Sequence, residues 1–254
     1  MANRNISSKD MDTSLRQKVT DDYDAVAADW DRTRQTAWGE FSFLSELFEG
    51  TPPAPFFKGG SEPCGRAGEF RILDAGCGNG RLVRWLDEKL GNENYGYLGV
   101  DGSAGLLVHA KKNFPEREFV QADLTEFKSS TKYNLAACIA VLHHLPSAAD
   151  RLAVLQNLHA SLADGGQLFL TAWNLWQPRY FKYILKSYLA GTPRDCRIPF
   201  QNKVDRFVHA LTASELLGLA EEAGFADIDV FPAAHGERVS WWRARNIVMI
   251  ARKD

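Results

Sequence analysis

The 254-residue chain is poor in cysteine, with only Cys64, Cys77, Cys138 and Cys196, and it has neither a CxxC pair nor Cys/His spacing suited to zinc. A disulfide scaffold and a zinc module are thereby excluded, and reduced thiols in a cytoplasmic setting are expected. No stretch approaches the roughly 18 apolar residues of a membrane span, and the opening MANRNISSKDMDTSLRQKVTDD holds no apolar segment of the kind a secretion signal needs. No membrane contact is expected. Charge of one sign is lacking too: 30 Lys+Arg stand against 32 Asp+Glu, a formal net charge of -2. No whole-chain field therefore draws the protein onto nucleic acid, and any basic surface must be local. Repeats and low-complexity segments are absent.

What is present suits one large α/β domain, with 45% hydrophobic residues against 24% charged. Residues 1–20 read as a polar, frayed tail, and a single domain is expected over 21–254. Its N-terminal helices should fall within 21–50, starting at Asp21 in DDYDAVAADWDRTR and again near Phe41–Phe48. The Gly/Pro-dense stretch 51–69 reads as a surface loop.

From Phe70 on, strand-length apolar runs alternate with helical patterns: RILDAG, RLVRWLDEKL, YLGVD, SAGLLVHAKKN, EFVQAD, YNLAACIAVL. A further helix ends at Asp164-Gly165-Gly166 and delivers the strand GQLFLTAWN. Thr212 and Glu215 form a capping box for TASELLGLAEEAGF, and ADIDVFP and NIVMIAR supply the last strands. The expected fold is a doubly wound, mostly parallel seven-stranded sheet with an antiparallel last strand. Residues 175–206 interrupt the pattern and read as a cap, a helix in PRYFKYILKSYLA followed by a Gly/Pro-punctuated loop.

Chemistry concentrates in LDAGCGNGRL, where a strand runs into Gly76, Gly78 and Gly80 and straight on into a helix. A backbone that turns this sharply and admits a ligand closely needs residues without a Cβ. Glycines alone leave a structural turn or a dinucleotide site open. Asp101 ends the next strand about 20 residues on, where a carboxylate can accept both hydroxyls of a ribose. The third strand ends in QADL, setting Asp123 and Leu124 at the same edge as acceptor and apolar wall for an adenine. The pattern is GxGxG rather than GxGxxG, and each aspartate taken singly could equally be a strand end or a helix cap.

Together with Asp74 entering the loop, these residues resemble the motif set of class I S-adenosylmethionine-dependent methyltransferases over roughly residues 70–174. The resemblance implies S-adenosylmethionine as cofactor, with Asp74 and Gly76 at its methionine end, Asp101 at the ribose and Asp123 at the adenine. Tyr23, Gly78, Asn79, Gly80, Gly102, Ser103, Leu124 and Ala140 complete the implied cofactor set. No metal is implied.

YDAVAADWDRTRQTAW, CIAVLHHL and WNLWQ further resemble the subgroup that includes tRNA wobble-uridine methyltransferases, which methylate the carboxylate of a carboxymethyl-modified uridine. That resemblance implies tRNA as partner, Arg34 as holder of the carboxylate and His143 or His144 as the residue orienting the base. Those histidines could instead be a polar strand end, and Tyr23, Trp30, Trp38, Trp173 and Trp176 could form a hydrophobic lid rather than a stacking platform. The cap carries Arg179, Lys182, Lys186, Arg194, Arg197, Lys203 and Arg206 against only Asp195 and Asp205, a patch able to track phosphates or simply to be solvated. A small-molecule O- or N-methyltransferase is the alternative, and a binding module without turnover or an NAD-dependent enzyme fits the residues less well. Eukaryotic members work with a small activator protein, for which the sequence marks no docking surface.

Overall fold

In the computed structural model, residues 8–34, 36, 38–48 and 70–254 are described; the expected loop 51–69 and the first seven residues lie outside them. Strands β1 (Phe70–Ala75), β2 (Tyr95–Asp101), β3 (Glu118–Gln121), β4 (Tyr133–Ile139) and β5 (Leu162–Trp173) run parallel. Between them lie α4 (Arg81–Leu90), α5 (Ala104–Asn113) and α6 (Ala148–Ser161). After α8 (Ala213–Glu222) come β8 (Ala226–Ala234), the two-residue β9 (Glu237–Arg238) and β10 (Asn246–Arg252). The sheet order is β3-β2-β1-β4-β5-β10-β8-β9, with β10 antiparallel to both of its neighbours. Seven of these strands are the expected ones, and the eighth is the short β9 hairpin on β8.

Period-two alternation explains why both faces of this sheet are dry. Leu73, Ala136, Cys138, Leu168 and Leu170 point to a core shared with Val154, Leu155 and Leu158 of α6 and Leu216 of α8. Their neighbours Ile72, Leu135, Ala137 and Phe169 point to a second core with Leu82, Val83 and Leu86 of α4 and Leu107 of α5. Hydroxyl caps start three of the helices: Ser103 accepts from Leu106 N at 3.1 Å, Ser147 from Asp150 N at 3.1 Å and Thr212 from Glu215 N at 3.2 Å. Strand order reverses between the parallel neighbours β1 and β4, with β2 and β3 on one side and β5 on the other, so the crevice for a ligand opens at their carboxyl ends.

Two expectations require correction. The tail is not frayed from residue 8 on: α1 spans Ser8–Ala25, and only at Val26 does the chain break into α2 (Ala27–Thr33), followed by α3 (Ser42–Phe48). With few apolar residues to show a periodicity, α1 is held instead by side-chain pairs to the sheet edge. The cap is likewise more than helix and loop. After α7 (Phe181–Leu189), β6 (Asp195–Phe200) and β7 (Val204–His209) form a hairpin, registered from Asp195↔His209 to Phe200↔Val204. Cys196, Ile198 and Phe200 face inward between exposed Arg197 and Pro199, an alternation masked in the sequence by the proline. Among the described residues no helix is long and apolar enough to cross a membrane.

Candidate active site

At the end of β1 the chain turns through left-handed backbone, with φ of 81° at Gly76 and 57° at Gly78. A Cβ on Gly76 would fall 2.1 Å from Val141 Cγ2, so close approach of the β4 loop forbids any side chain there. A Cβ on Gly78 would meet nothing nearer than 3.9 Å, which leaves its face open to a cavity of about 530 Å³ at the carboxyl edge of the sheet. Asp74, almost fully buried, accepts the Tyr97 hydroxyl at 2.7 Å. Burial pushes its pKa up to about 7, with Asp101 adding to the rise.

Asp101 is held from both sides: Gly78 N donates to Oδ2 and Ser103 N to Oδ1, each at 2.8 Å. Burial raises its pKa, and those two backbone bonds oppose the rise. Each oxygen retains a lone pair for a ligand hydroxyl. Asp123 is engaged differently, since Oδ1 accepts Thr125 N and Oγ1 at 2.8 Å while Oδ2 accepts Arg16 Nε at 3.2 Å. Ala140 adopts φ 58°, an uncommon conformation for a residue with a Cβ, fixed by N–H bonds to the Thr171 carbonyl at 3.0 Å and hydroxyl at 3.1 Å.

Of the residues singled out in the sequence, Tyr23, Asp74, Gly76, Gly78, Asn79, Asp101, Gly102, Ser103, Asp123, Leu124, Ala140 and His144 line this one cavity. Gly80, Arg34 and His143 do not. Gly80 lies behind the loop against Phe114, and Asn79 spends its amide on Asp31 at 2.9 Å, tying the loop to α2.

Tyr23, Trp30 and His144, which line the cavity, pack on their far side into an aromatic and cationic cluster with Arg34, Trp173, Phe200 and Arg206, none of which lines the cavity itself. His144 Nδ1 sits 2.7 Å from the Phe207 carbonyl, which can only accept, so Nδ1 carries the proton. Nε2 therefore accepts the Tyr23 hydroxyl, also at 2.7 Å. Burial pushes His144 down to about 3 and Tyr23 up to about 12, so both are neutral at physiological pH. His143, its neighbour on the same short turn, is fully buried: its Nδ1 accepts Trp173 N at 3.3 Å and its ring lies 5.1 Å from the Trp173 ring. Arg34 stacks 3.5 Å over the Trp30 ring, and burial, with Arg81 and Arg206 nearby, lowers its pKa to about 10.

Arg206, one cap cation among seven in the sequence, stands apart from the other six in the structure. It is 6% exposed, and its Nε and Nη1 find no hydrogen-bond partner. Trp173 at 4.7 Å, Phe200 at 4.8 Å and Trp30 at 5.7 Å cage its guanidinium within hydrogen-bonding reach of the Tyr23 phenol. The periodic signal lies on the partner strand, DCRIPF, whose residues alternate buried and exposed, whereas VDRFVH is buried continuously from Arg206 to His209 and shows no alternation of its own. Among the described residues no group of His, Cys, Asp and Glu could hold a metal ion.

Comparison with known proteins agrees with this geometry. Residues 73–168 match the family model described as a methyltransferase domain. Trans-aconitate 2-methyltransferase of Rhizobium etli is 34% identical over 98 residues, covering 39% of this chain and 36% of that protein. The chain thus spans about a third of that relative's length. The tRNA (carboxymethyluridine(34)-5-O)-methyltransferase of Schizosaccharomyces pombe is 27% identical over 241 residues, covering 87% of this chain and 92% of its own. Among solved structures, magnesium protoporphyrin IX methyltransferase from Synechocystis with bound S-adenosylhomocysteine superimposes with a TM-score of 0.62 at 16% identity, over 94% of this chain and 100% of that one. That likeness carries the fold. With the glycine loop, Asp74 and Asp101 at the carboxyl ends of β1 and β2, residues 73–168 are a methyltransferase domain, and the chain is similar in sequence and fold to S-adenosylmethionine-dependent methyltransferases.

Proposed function

We propose that this chain methylates a carboxylate, and that the carboxylate is the carboxymethyl group of a modified wobble uridine in tRNA. The observation that carries the reading is the buried Arg206 guanidinium, whose Nε and Nη1 lack an acceptor beside Tyr23. A desolvated cation with empty donors is costly unless an anion arrives, and an acceptor carboxylate is the anion such a donor set fits.

Asp74, Gly76, Asp101 and the open face of Gly78 would hold S-adenosylmethionine, which when bound supplies a methyl carbon on a positively charged sulfur. A carboxylate needs no base to take that carbon, and the cluster offers none: His144 Nε2 is already occupied by the Tyr23 proton. Tyr23, Trp30 and Trp173 keep water out and fix the approach, which matters most for an in-line transfer. The ester formed is neutral and leaves Arg206 without its partner, which favours product release. A cytoplasmic setting accompanies the reading, supported by free Cys77, Cys138 and Cys196.

A second reading rests on a separate observation. Arg81 and Arg206 both lie near enough to Arg34 to disfavour its charge, a cluster suited to a small polycarboxylate such as the one in the Rhizobium relative's name. Labelled methyl transfer from S-adenosylmethionine to unfractionated tRNA, beside a panel of free di- and tricarboxylates, separates the two. Label released from tRNA by mild base supports the ester on RNA. Label on neither, with cofactor bound normally, overturns the carboxylate reading. Arg206→Met should keep cofactor affinity while methyl transfer falls roughly 100-fold, as expected when a buried ion pair loses one partner.

A further inference from the structure

The segment Ser240–Arg245 holds two indoles out in water, Trp241 at 45% and Trp242 at 76% exposure, beside exposed Arg243 and Arg245. Nothing in the cofactor site or the Arg206 cluster uses them. The loop is nonetheless rigidly built. Arg243 N and Ala244 N both donate to Ser240 O, at 2.9 and 3.1 Å, and Ala244 is fully buried. The buried Asn174 amide donates to the carbonyls of Trp241 at 3.2 Å and Ala244 at 3.0 Å.

Its position gives it a role. Asn174 directly follows Trp173, a wall of the Arg206 cage, and Asn246, directly after the loop, pairs with Trp173 across the sheet. The platform therefore sits at the carboxyl edge, one residue from that cluster, where the body of an acceptor must lie while its reactive group reaches inward. Further along the chain from Asn174, α7 presents exposed Lys182 and Lys186. Residues 174–194 and 238–246 contain no acid at all, in a chain whose formal net charge is -2.

We propose that Trp241, Trp242, Arg243 and Arg245 form a docking platform for single-stranded RNA, stacking the bases that flank the acceptor nucleotide and pairing with their phosphates. Exposed π-faces beside arginines bind unstacked bases with little regard to sequence, whereas a duplex hides its base faces. The inference rests on the tRNA reading and adds the surface that reading lacks.

The test is fluorescence polarisation of a short labelled single-stranded RNA with the full chain, beside the same RNA as a duplex and beside phosphatidylserine vesicles. Single-strand binding that weakens roughly tenfold or more in Trp242→Ala, with the salt dependence reduced in Arg243→Gln/Arg245→Gln, is the expected result. S-adenosylmethionine affinity and thermal melting should be unchanged in these variants, which sets docking apart from misfolding. Single-strand binding equal in wild type and variants overturns the platform and leaves RNA as substrate. No RNA binding by the wild type, with methyl transfer to free carboxylates intact, overturns both. Trp242-dependent binding to vesicles in place of RNA assigns the surface to lipid and overturns the proposal.

Discussion

The Tyr23 hydroxyl donates to His144 Nε2 across 2.7 Å while His144 Nδ1 bonds the Phe207 carbonyl at the same distance, so one imidazole joins α1 to the cap hairpin in a single tautomer. Burial holds its pKa near 3 and that of Tyr23 near 12, so neither group titrates between pH 5 and 9. At saturating cofactor the maximal methyl-transfer rate should accordingly show no limb near pH 6.5. A bell centred on histidine would assign His144 a base role and refute the tautomer. His144 also contributes a stability term. Its folded pKa lies below the unfolded value of 6.5, so that term is present above pH 6.5 and is lost as pH falls toward 3.

Asp74 sets a different pH dependence. Burial raises its pKa to about 7, so in the free protein it titrates around neutrality rather than in the usual carboxylate range. If Asp74 faces the cofactor's ammonium, binding favours the carboxylate and expels that proton. Calorimetric affinity for S-adenosylmethionine should rise from pH 6 to 8 and level off above, with proton release falling over the same interval. Asp74→Asn should bind more weakly and lose the slope. An unchanged slope in that variant would move the titrating group elsewhere.

The cap hairpin is tied to α8 by charge. His209 Nδ1 lies 2.6 Å from Asp195 Oδ1 and its Nε2 lies 3.2 Å from Glu215 Oε1, while Arg151 and Arg194 also reach Glu215. These carboxylates raise the His209 pKa despite its burial, and the cations and His209 together pull Glu215 down to about 2 despite burial. His209 therefore stabilises the fold fully below its unfolded pKa of about 6.5, and the contribution disappears as pH rises through its higher folded pKa. Melting curves should show this alkaline loss in wild type and its absence in His209→Gln. Equal pH profiles would count against the pairing.

Gly76 offers a steric test. Its φ of 81° and the 2.1 Å approach of Val141 Cγ2 penalise any Cβ, so Gly76→Ala should cost about 2–4 kcal/mol in denaturant unfolding. Adding Val141→Ala removes the approach of both methyls but leaves the Val141 Cβ at 3.2 Å and the left-handed strain. The double variant should recover part of the stability, and full recovery would show that the backbone conformation itself is undemanding.

These sites differ in how plainly the sequence announced them. The β1 loop was legible because its glycines, the following helix and Asp101 are all local, and strand alternation fixed which residues face which core. His143 and His144 were not separable, since a short turn sends adjacent side chains to different surroundings. Arg206 was hidden because Pro199 disguised its hairpin as loop. Asp123 was placed at the right edge, yet its partner Arg16 lies more than a hundred residues earlier in α1, beyond any periodic signal.

That partnership makes α1 a strap along the cavity at the carboxyl edge of the sheet. Arg16 pairs with both Asp123 and Asp150, and Asp24 accepts Gly105 N at 2.9 Å and the Ser103 hydroxyl, while Thr13, Gln17 and Thr20 line the cavity between them. Tyr23 anchors the C-terminal end of α1 on buried His144, but its middle is held by the Arg16 ion pairs and should loosen with salt, because partly exposed ion pairs are screened within about 10 Å at 0.1 M ionic strength. Release of S-adenosylhomocysteine, followed by stopped flow, should therefore accelerate with salt. In Arg16→Gln it should be several-fold faster already at low salt and nearly independent of salt. Amide exchange over residues 12–24 should rise in parallel. A variant that releases product at the wild-type rate while those amides exchange faster would show that α1 opens without gating the cleft.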